Sequence, residues 1–348
     1  MLKNFIKKMR RSAFDFNVVD GRTIGEITLR PLIDESADLL VVDVGARNGM
    51  QLLPTYYSAN SRLIGFEPNP DEYEKLIAKK TDAHKTGANI PSFKKEEYHP
   101  CAIWDSNGDH KFFITVGPGA ATLMGETLEQ VTGNMYLDYP DNRRFKSFED
   151  LHSKIKETVT VPCRTLDEVL GDGKVCDFLK LDVEGAELRC LKGAQKLLSE
   201  GRILFVFTEF VAFPYYSEHC VLGDQHSFLN ECGFRLLDID MGHNTYRRGA
   251  QELPLSSDRR LLHAGDAFFC LDPDRNELSN EEKQRIAAIC FIFGFNTLAL
   301  SLLEDAALTT AADIKLIRQA IVDTYTIKRY KHIWGSLPRL IVQKIRGH

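Results

Sequence analysis

Four runs of consecutive apolar residues mark the first two thirds of the chain: LLVVDV at 39–44, RLIGFE at 62–67, DFLKLDV at 177–183 and RILFVFTEF at 202–210. None alternates strictly between apolar and polar. Each therefore predicts a strand buried on both faces, as in a parallel sheet. Helical periodicity lies between them. DEYEKLIAKK (71–80) opens with acids and closes with lysines, matching the helix dipole. GAELRCLKGAQKLLSEG (185–201) sets Leu188, Leu191, Ala194 and Leu198 on one face, with Gly201 placed to close the helix. Strand and helix in this alternation predict a doubly wound, mostly parallel α/β fold.

The middle of the chain breaks the rhythm. AIWD, the turn SNGD and HKFFITV read as a hairpin, and TVTVPC (158–163) as a further strand. Residues 117–157 read as a loop or insertion, and long loops in compact domains often carry function. After Asp272-Pro273 the pattern is helical. The organisation expected is a basic N-terminal segment (1–38), an α/β domain (39–272) and a helical extension (273–348), the last a candidate surface for homo-oligomers.

Composition narrows the class. Of 348 residues, 43% are hydrophobic and 27% charged, which suits an ordinary globular protein. A net charge of -5 offers no electrostatic case for nucleic acid. Eight cysteines stand without CxxC or zinc spacing, so buried reduced thiols and a cytoplasmic setting are expected. The start is basic but has no signal-peptide core. The apolar stretch from Ala287 to Leu303 is interrupted by Gly294 and Asn296 and falls short of the ~20 residues of a membrane span. No transmembrane segment is expected.

The chemistry concentrates at strand ends. Asp43-Val-Gly-Ala-Arg-Asn-Gly49 follows the first strand and is expected to open a helix. Gly45 and Gly49 allow a tight turn and close approach to a ligand, and free N–H groups of the helix would face an anion. Glu67 ends the next strand, about where dinucleotide folds place an acid on the ribose hydroxyls. The loop is not GxGxxG, and Asp43 would oppose a pyrophosphate. It suits S-adenosylmethionine, whose ammonium can face Asp43 and whose carboxylate can face the helix N–H groups. Asp182 and Glu184 end the third strand in Lys180-Leu-Asp-Val-Glu-Gly185, and Glu209 ends the fourth. Acids at carboxyl ends line the crevice where such sheets bind ligands. They are candidates to orient an acceptor, accept its proton or hold Mg²⁺, although the chemistry requires no metal and none is favoured. His219, His226 and His263 are further candidate bases. Phe213-Pro214 and Tyr215-Tyr216 are candidate acceptor-pocket residues. The basic termini could face an anionic partner, but a solvated helix face is the simpler account.

The succession DVGARNG, GFEPNP, CAIWDSNGDHKFF, VTVPCRTLDEVL and DFLKLDVEGAELRCLKGAQKLL resembles the FkbM-type methyltransferases over residues 39 to 240. The resemblance implies a Rossmann-like class I fold with a mostly parallel seven-stranded sheet. It implies S-adenosylmethionine-dependent O-methylation of a hydroxyl on a sugar, glycan or other small-molecule natural product. It further implies that Asp43, Gly45, Ala46, Asn48 and Gly49 form the cofactor loop and that Glu67 holds the ribose. Ala102, Ile103 and Asp105 would neighbour adenine, and Asp182 and Glu184 would face the transferring methyl group. The family commonly reads DVGAN, whereas position 47 here is Arg. That departure, with the appended helices, motivates an alternative: a non-catalytic cofactor-binding scaffold. An NAD-linked oxidoreductase is a third reading, opposed by Asp43.

Overall fold

The apolar runs become the centre of a mixed sheet in the computed structural model, which describes residues 18–19, 22–23, 29–33, 36–88, 90–125, 135–137, 146–147, 154–214, 216, 218–247, 261–306, 310–319 and 321–322. The strands of the two main sheets are β1 (Leu39–Val44), β2 (Ser61–Phe66), β3 (Lys95–His99), β4 (Ala102–Ile103), β5 (Gly108–Thr115), β6 (Met135–Leu137), β7 (Lys146–Ser147), β8 (Ile155–Arg164), β9 (Phe178–Leu181), β10 (Phe205–Val211), β11 (Phe234–Arg247) and β12 (Leu261–Leu271). Nine of them form one sheet in the order β3-β2-β1-β9-β10-β12-β11-β6-β7. The first five are parallel, and the rest join antiparallel. The architecture is thus the Rossmann-like α/β fold, with a sheet that is mixed and longer than seven strands. All six residues of β1 are buried, as a strand covered on both faces requires. Strand order reverses at β1, which lies between β2 and β9, and that reversal opens a crevice at the carboxyl ends.

The helices are α1 (Thr55–Ala59), α2 (Pro70–Ile77), α3 (Asp82–Lys85), α4 (Leu166–Leu170), α5 (Glu187–Lys192), α6 (Gln195–Ser199), α7 (Leu222–Glu231), α8 (Asn280–Phe293) and α9 (Asn296–Asp305). Helix α2 starts where the sequence signals it. Asn69 Oδ1 accepts from the N–H of Asp71 at 3.1 Å, and Pro70 fills a position that needs no donor.

Three local expectations are corrected. AIWD and HKFFITV do not pair with each other. Strand β8 lies between β4 and β5, with Cys163 beside both Ala102 and Gly108. The 185–201 helix is split into α5 and α6 at Gly193. A Cβ there would stand 2.0 Å from the Trp104 carbonyl oxygen, so glycine at the break admits the close approach of the AIWD segment. No helix opens at Gly49. The chain becomes helical only at Thr55, because Pro54 lacks an N–H and disfavours helical geometry in the residue before it. The 117–157 segment contributes β6 and β7, which extend the sheet beyond β11; residues 126–134, 138–145 and 148–153 lie outside the described set.

The chain divides into two units. One holds residues 36–52 and 58–279; the second draws on the segment before residue 36, on Leu53–Tyr57 and on the helices from Asn280 onward. Within the second, Gly294 at φ 88° ends α8, and Phe295 N–H returns to the Cys290 carbonyl at 2.8 Å. Ile286 to Phe291 are buried. Residues 311–319 are also helical, and the basic stretch after residue 322 lies outside the described residues, as does the basic N-terminus. Among the described residues, no helix is long and apolar enough to cross a membrane. All eight cysteines are unpaired thiols, six of them buried.

Candidate active site

A single row of residues crosses the parallel strands beneath the crevice. Tyr98, Gly65, Asp43 and Lys180 are register neighbours on β3, β2, β1 and β9. Gly65 has no side chain because the Tyr98 ring occupies its place; a Cβ there would stand 2.5 Å from Cδ1 of the ring. Asp43 is fully buried, and its Oδ1 accepts from Lys180 Nζ at 2.9 Å. Lys180 also donates to the Gly45 carbonyl at 3.2 Å and pairs with Asp182 Oδ2 at 3.3 Å. All three ammonium protons are thereby used, and the loops after β1 and β9 are tied together. Burial pulls the Asp43 carboxyl upward while Lys180 opposes it, and the net direction is up. Asp43 Oδ2 has no hydrogen-bond partner among the described residues.

Gly45 is required for contact within the protein. At φ 83°, a Cβ would stand 2.0 Å from the Asp182 carbonyl oxygen. The glycine therefore lets two loops touch. Ala46 is buried, and the N–H groups of Gly45 and Ala46 both go to the Phe66 carbonyl. Asn48 Oδ1 accepts from Ala83 N–H at 3.4 Å. Gly49 N–H turns back to the Ala46 carbonyl at 2.8 Å. Arg47 points away from its own backbone, and its Nε donates to Glu72 Oε2 at 3.0 Å and its Nη2 to Asp82 Oδ2 at 3.2 Å.

Glu67, next after β2, is 5% exposed, and its Oε1 accepts from Asn69 N–H at 2.9 Å. Desolvation, only partly offset by that hydrogen bond, pushes its carboxyl up to about 7. The β9 end is held under strain. Glu184 sits at φ 56°, a left-handed conformation that side chains other than glycine rarely adopt. Its carbonyl accepts from Thr122 Oγ1 at 2.9 Å. The buried Glu187 carboxylate accepts from Val183 N–H at 3.1 Å and from Gly185 N–H at 3.1 Å. Burial raises Glu187 to about 7. Backbone strain over-determined in this way is typical of ligand-binding turns.

Asp182, Glu184 and Glu209 converge, each offering a carboxylate oxygen within 4.8 Å of the others. Glu184 and Glu209 are half-buried, and both carboxyls stand well above the usual carboxylate range. Desolvation is the main cause, and the neighbouring acids add to it. Asp266 lies beside Glu209 across β10 and β12 and contributes to this repulsion.

The remaining candidates are distributed around this centre. The Ile103 carbonyl takes the Cys190 thiol at 3.1 Å, and Ala102 is buried beside Cys163 in the small sheet. Asp105 is ion-paired to Arg189 at 2.6 Å. His219 is buried against Gly185, whose Cβ would lie 2.9 Å from Nε2, and desolvation lowers this imidazole to about 4. His263 is buried beside Phe213, and His226 lies on α7 near Phe269. Tyr216 is buried against His219; Tyr215 lies outside the described residues. A separate cavity of about 250 Å³ opens beside Gly49 between Leu76, Phe93 and Tyr98, and its lining includes none of Asp43, Glu67, Asp182, Glu184 or Glu209. Glu187, Thr122 and Tyr98 were not legible as site residues. The interior glycine of β2 was the one available hint, since such glycines often mark close approach.

No curated protein matches the chain. Among solved structures it is similar to a methyltransferase FkbM from Methylobacillus flagellatus KT, at 14% identity and a TM-score of 0.33 over 71% of this chain. The match spans 48% of that protein's length. It is also similar to a magnesium protoporphyrin IX methyltransferase from Synechocystis PCC 6803 with bound SAM, at 11% identity and a TM-score of 0.32, covering 77% of this chain and 91% of that one. A TehB-like SAM-dependent methyltransferase from Corynebacterium glutamicum ATCC 13032 Kitasato gives 12% identity and a TM-score of 0.29, covering 78% and 97%. The sequence family described as the methyltransferase FkbM domain matches residues 43–236, from Asp43 through β9, the acids and the start of β11. With more than half of its 348 residues in that match, the chain belongs to the FkbM methyltransferase family.

Proposed function

We propose that this protein binds S-adenosylmethionine over the carboxyl ends of β1, β2 and β9 and transfers its methyl group to a hydroxyl of a sugar, glycan or other small-molecule acceptor. One observation carries the cofactor assignment: the buried Asp43 has one oxygen on Lys180 and the other without a partner. A buried carboxylate oxygen left unpaired is costly, and an ammonium satisfies it. A pyrophosphate would meet repulsion there.

The bound cofactor supplies a methyl group activated by its sulfonium. The chain does the rest. Asp43 orients the amino group, with Lys180 holding the carboxylate in place. Glu67, when ionised, accepts from the ribose hydroxyls. Asp182, Glu184 and Glu209 face the acceptor. A carboxylate whose proton affinity is raised by burial is a stronger base once ionised, so Glu184 or Glu209 is suited to take the hydroxyl proton. Alignment of oxygen, methyl carbon and sulfur supplies much of the acceleration. The three oxygen donors also suit Mg²⁺ chemically, but no step here requires it.

Calorimetric titration with S-adenosylhomocysteine, with NAD⁺ as control, tests the assignment. Micromolar binding of the first alone is expected. Binding of NAD⁺ alone would replace the assignment with an oxidoreductase. Asp182→Asn should slow methyl transfer to a glycan or small-molecule hydroxyl while cofactor binding persists; unchanged turnover would move the chemistry away from this crevice.

A further inference from the structure

The cofactor's methionine end carries a carboxylate as well as an ammonium, and the anion-binding helix N-terminus expected at Gly49 is not there. Three loop N–H groups, those of Gly45, Ala46 and Gly49, go to carbonyls of the protein. Lys180 has all its donors engaged on Asp43, Gly45 and Asp182. Arg47 is the cation that remains on the loop.

Its guanidinium is held by Glu72 through Nε and by Asp82 through Nη2, while Nη1 donates to nothing among the described residues. That nitrogen passes 3.2 Å from the point where a Cβ on Gly119 would stand. The guanidinium thus lies between α2, α3 and the 117–119 turn. Two more cations complete the network: Lys75 pairs with Glu72 at 2.7 Å and Lys85 with Asp82 at 3.4 Å. The field of Arg47 reaches both Glu67 and Glu184, the acids on either side of the cofactor path. A guanidinium braced by two carboxylates loses little further freedom when it binds an anion.

We propose that Arg47 binds the carboxylate of the cofactor's methionine moiety through Nη1, replacing the helix N-terminus that Pro54 displaces. Asp43 and Arg47, four residues apart on one loop, then form complementary partners for a zwitterion. This assignment rests on the S-adenosylmethionine reading above, and the test separates the two.

Wild type, Arg47→Ala and Arg47→Lys are titrated with S-adenosylhomocysteine and with 5′-methylthioadenosine, which keeps the nucleoside and lacks the amino-acid carboxylate. Arg47→Ala should weaken the first roughly tenfold, the scale of one charge-assisted hydrogen bond. Methylthioadenosine should change less than about twofold, since it makes none of the lost contact. Arg47→Lys should recover part of the lost affinity. Arg47→Gln, which can still donate to Glu72, repeats the comparison if the alanine variant fails to fold. Equal loss of both compounds, or no loss of either, overturns the role of Arg47. Wild type that binds neither compound overturns the cofactor assignment itself.

Discussion

Two groups of acids flank strand β9, and they are treated in opposite ways. On the β1 side every carboxylate meets a cation or a backbone donor: Asp43 on Lys180, Glu72 on Arg47 and Lys75, Glu67 on Asn69. On the β10 side Glu184 and Glu209 crowd together beside Asp182, and neither Glu184 nor Glu209 pairs with a lysine or arginine among the described residues. The first group is a balanced, pre-set frame. The second stores repulsion and holds protons far more tightly than free carboxyls do. A frame of the first kind binds a ligand of defined charge without rearranging. A cluster of the second kind handles protons or attracts cations, at a cost to stability.

The largest expected effect comes from unbalancing the frame. Lys180→Ala leaves Asp43 buried without its cation and should cost about 3–5 kcal/mol of stability. Urea denaturation measures it; a loss below 1 kcal/mol would mean that the two sides of β9 do not differ as described. Next, Glu67→Ala should weaken S-adenosylhomocysteine binding by about 1.5–3 kcal/mol, the scale of hydrogen bonds to a charged group. Unaltered affinity in calorimetry would remove Glu67 from the ribose.

The pH dependence follows from the same residue. Glu67 rises from its ordinary 4.5 to about 7 in the fold, so it is protonated below pH 7 and ionised above. If only the ionised form binds well, affinity for S-adenosylhomocysteine should improve about tenfold between pH 6 and pH 8. Glu67→Gln should flatten that profile. Stability runs the other way: Glu67 and Glu187 are both raised to about 7, so the folded state holds their protons more tightly and stability falls as pH rises from 4.5 through 7. The smallest effect is expected on the β10 side. Glu209→Gln removes one acid from the crowded cluster and should stabilise the protein by about 0.5–2 kcal/mol while lowering turnover. Destabilisation by the same change would show that the cluster is balanced after all.

Much of the frame was readable in the amino-acid order. LLVVDV and DFLKLDV are apolar runs whose acids stand at the carboxyl ends, and parallel pairing brings those ends together. The acids that open DEYEKLIAKK marked the first turn of α2. Other features depended on contacts distant in sequence. Pro54 postponed a helix that the glycine loop led one to expect, and Gly193, at the break between α5 and α6, makes room for the Trp104 carbonyl. Insertion of β8 between β4 and β5 undid an apparent hairpin, because two strands joined by a turn signal can each find a better partner. Strand β11 joins the sheet without the unbroken apolar run that marked the parallel strands, since an antiparallel strand needs only one buried face, whereas β12 carries such a run in AFFCL.

Local order therefore determined the central strands β1, β2, β9 and β10, the acids at their ends and the family the chain joins, because these depend on periodicity and on spacing along the chain. Only the tertiary structure decided which charges meet. Lys180 reaches Asp43 across 137 positions and Glu209 joins Asp182 from another strand, and a carboxylate becomes a partner, a base or a burden according to what the fold places within a few ångströms of it.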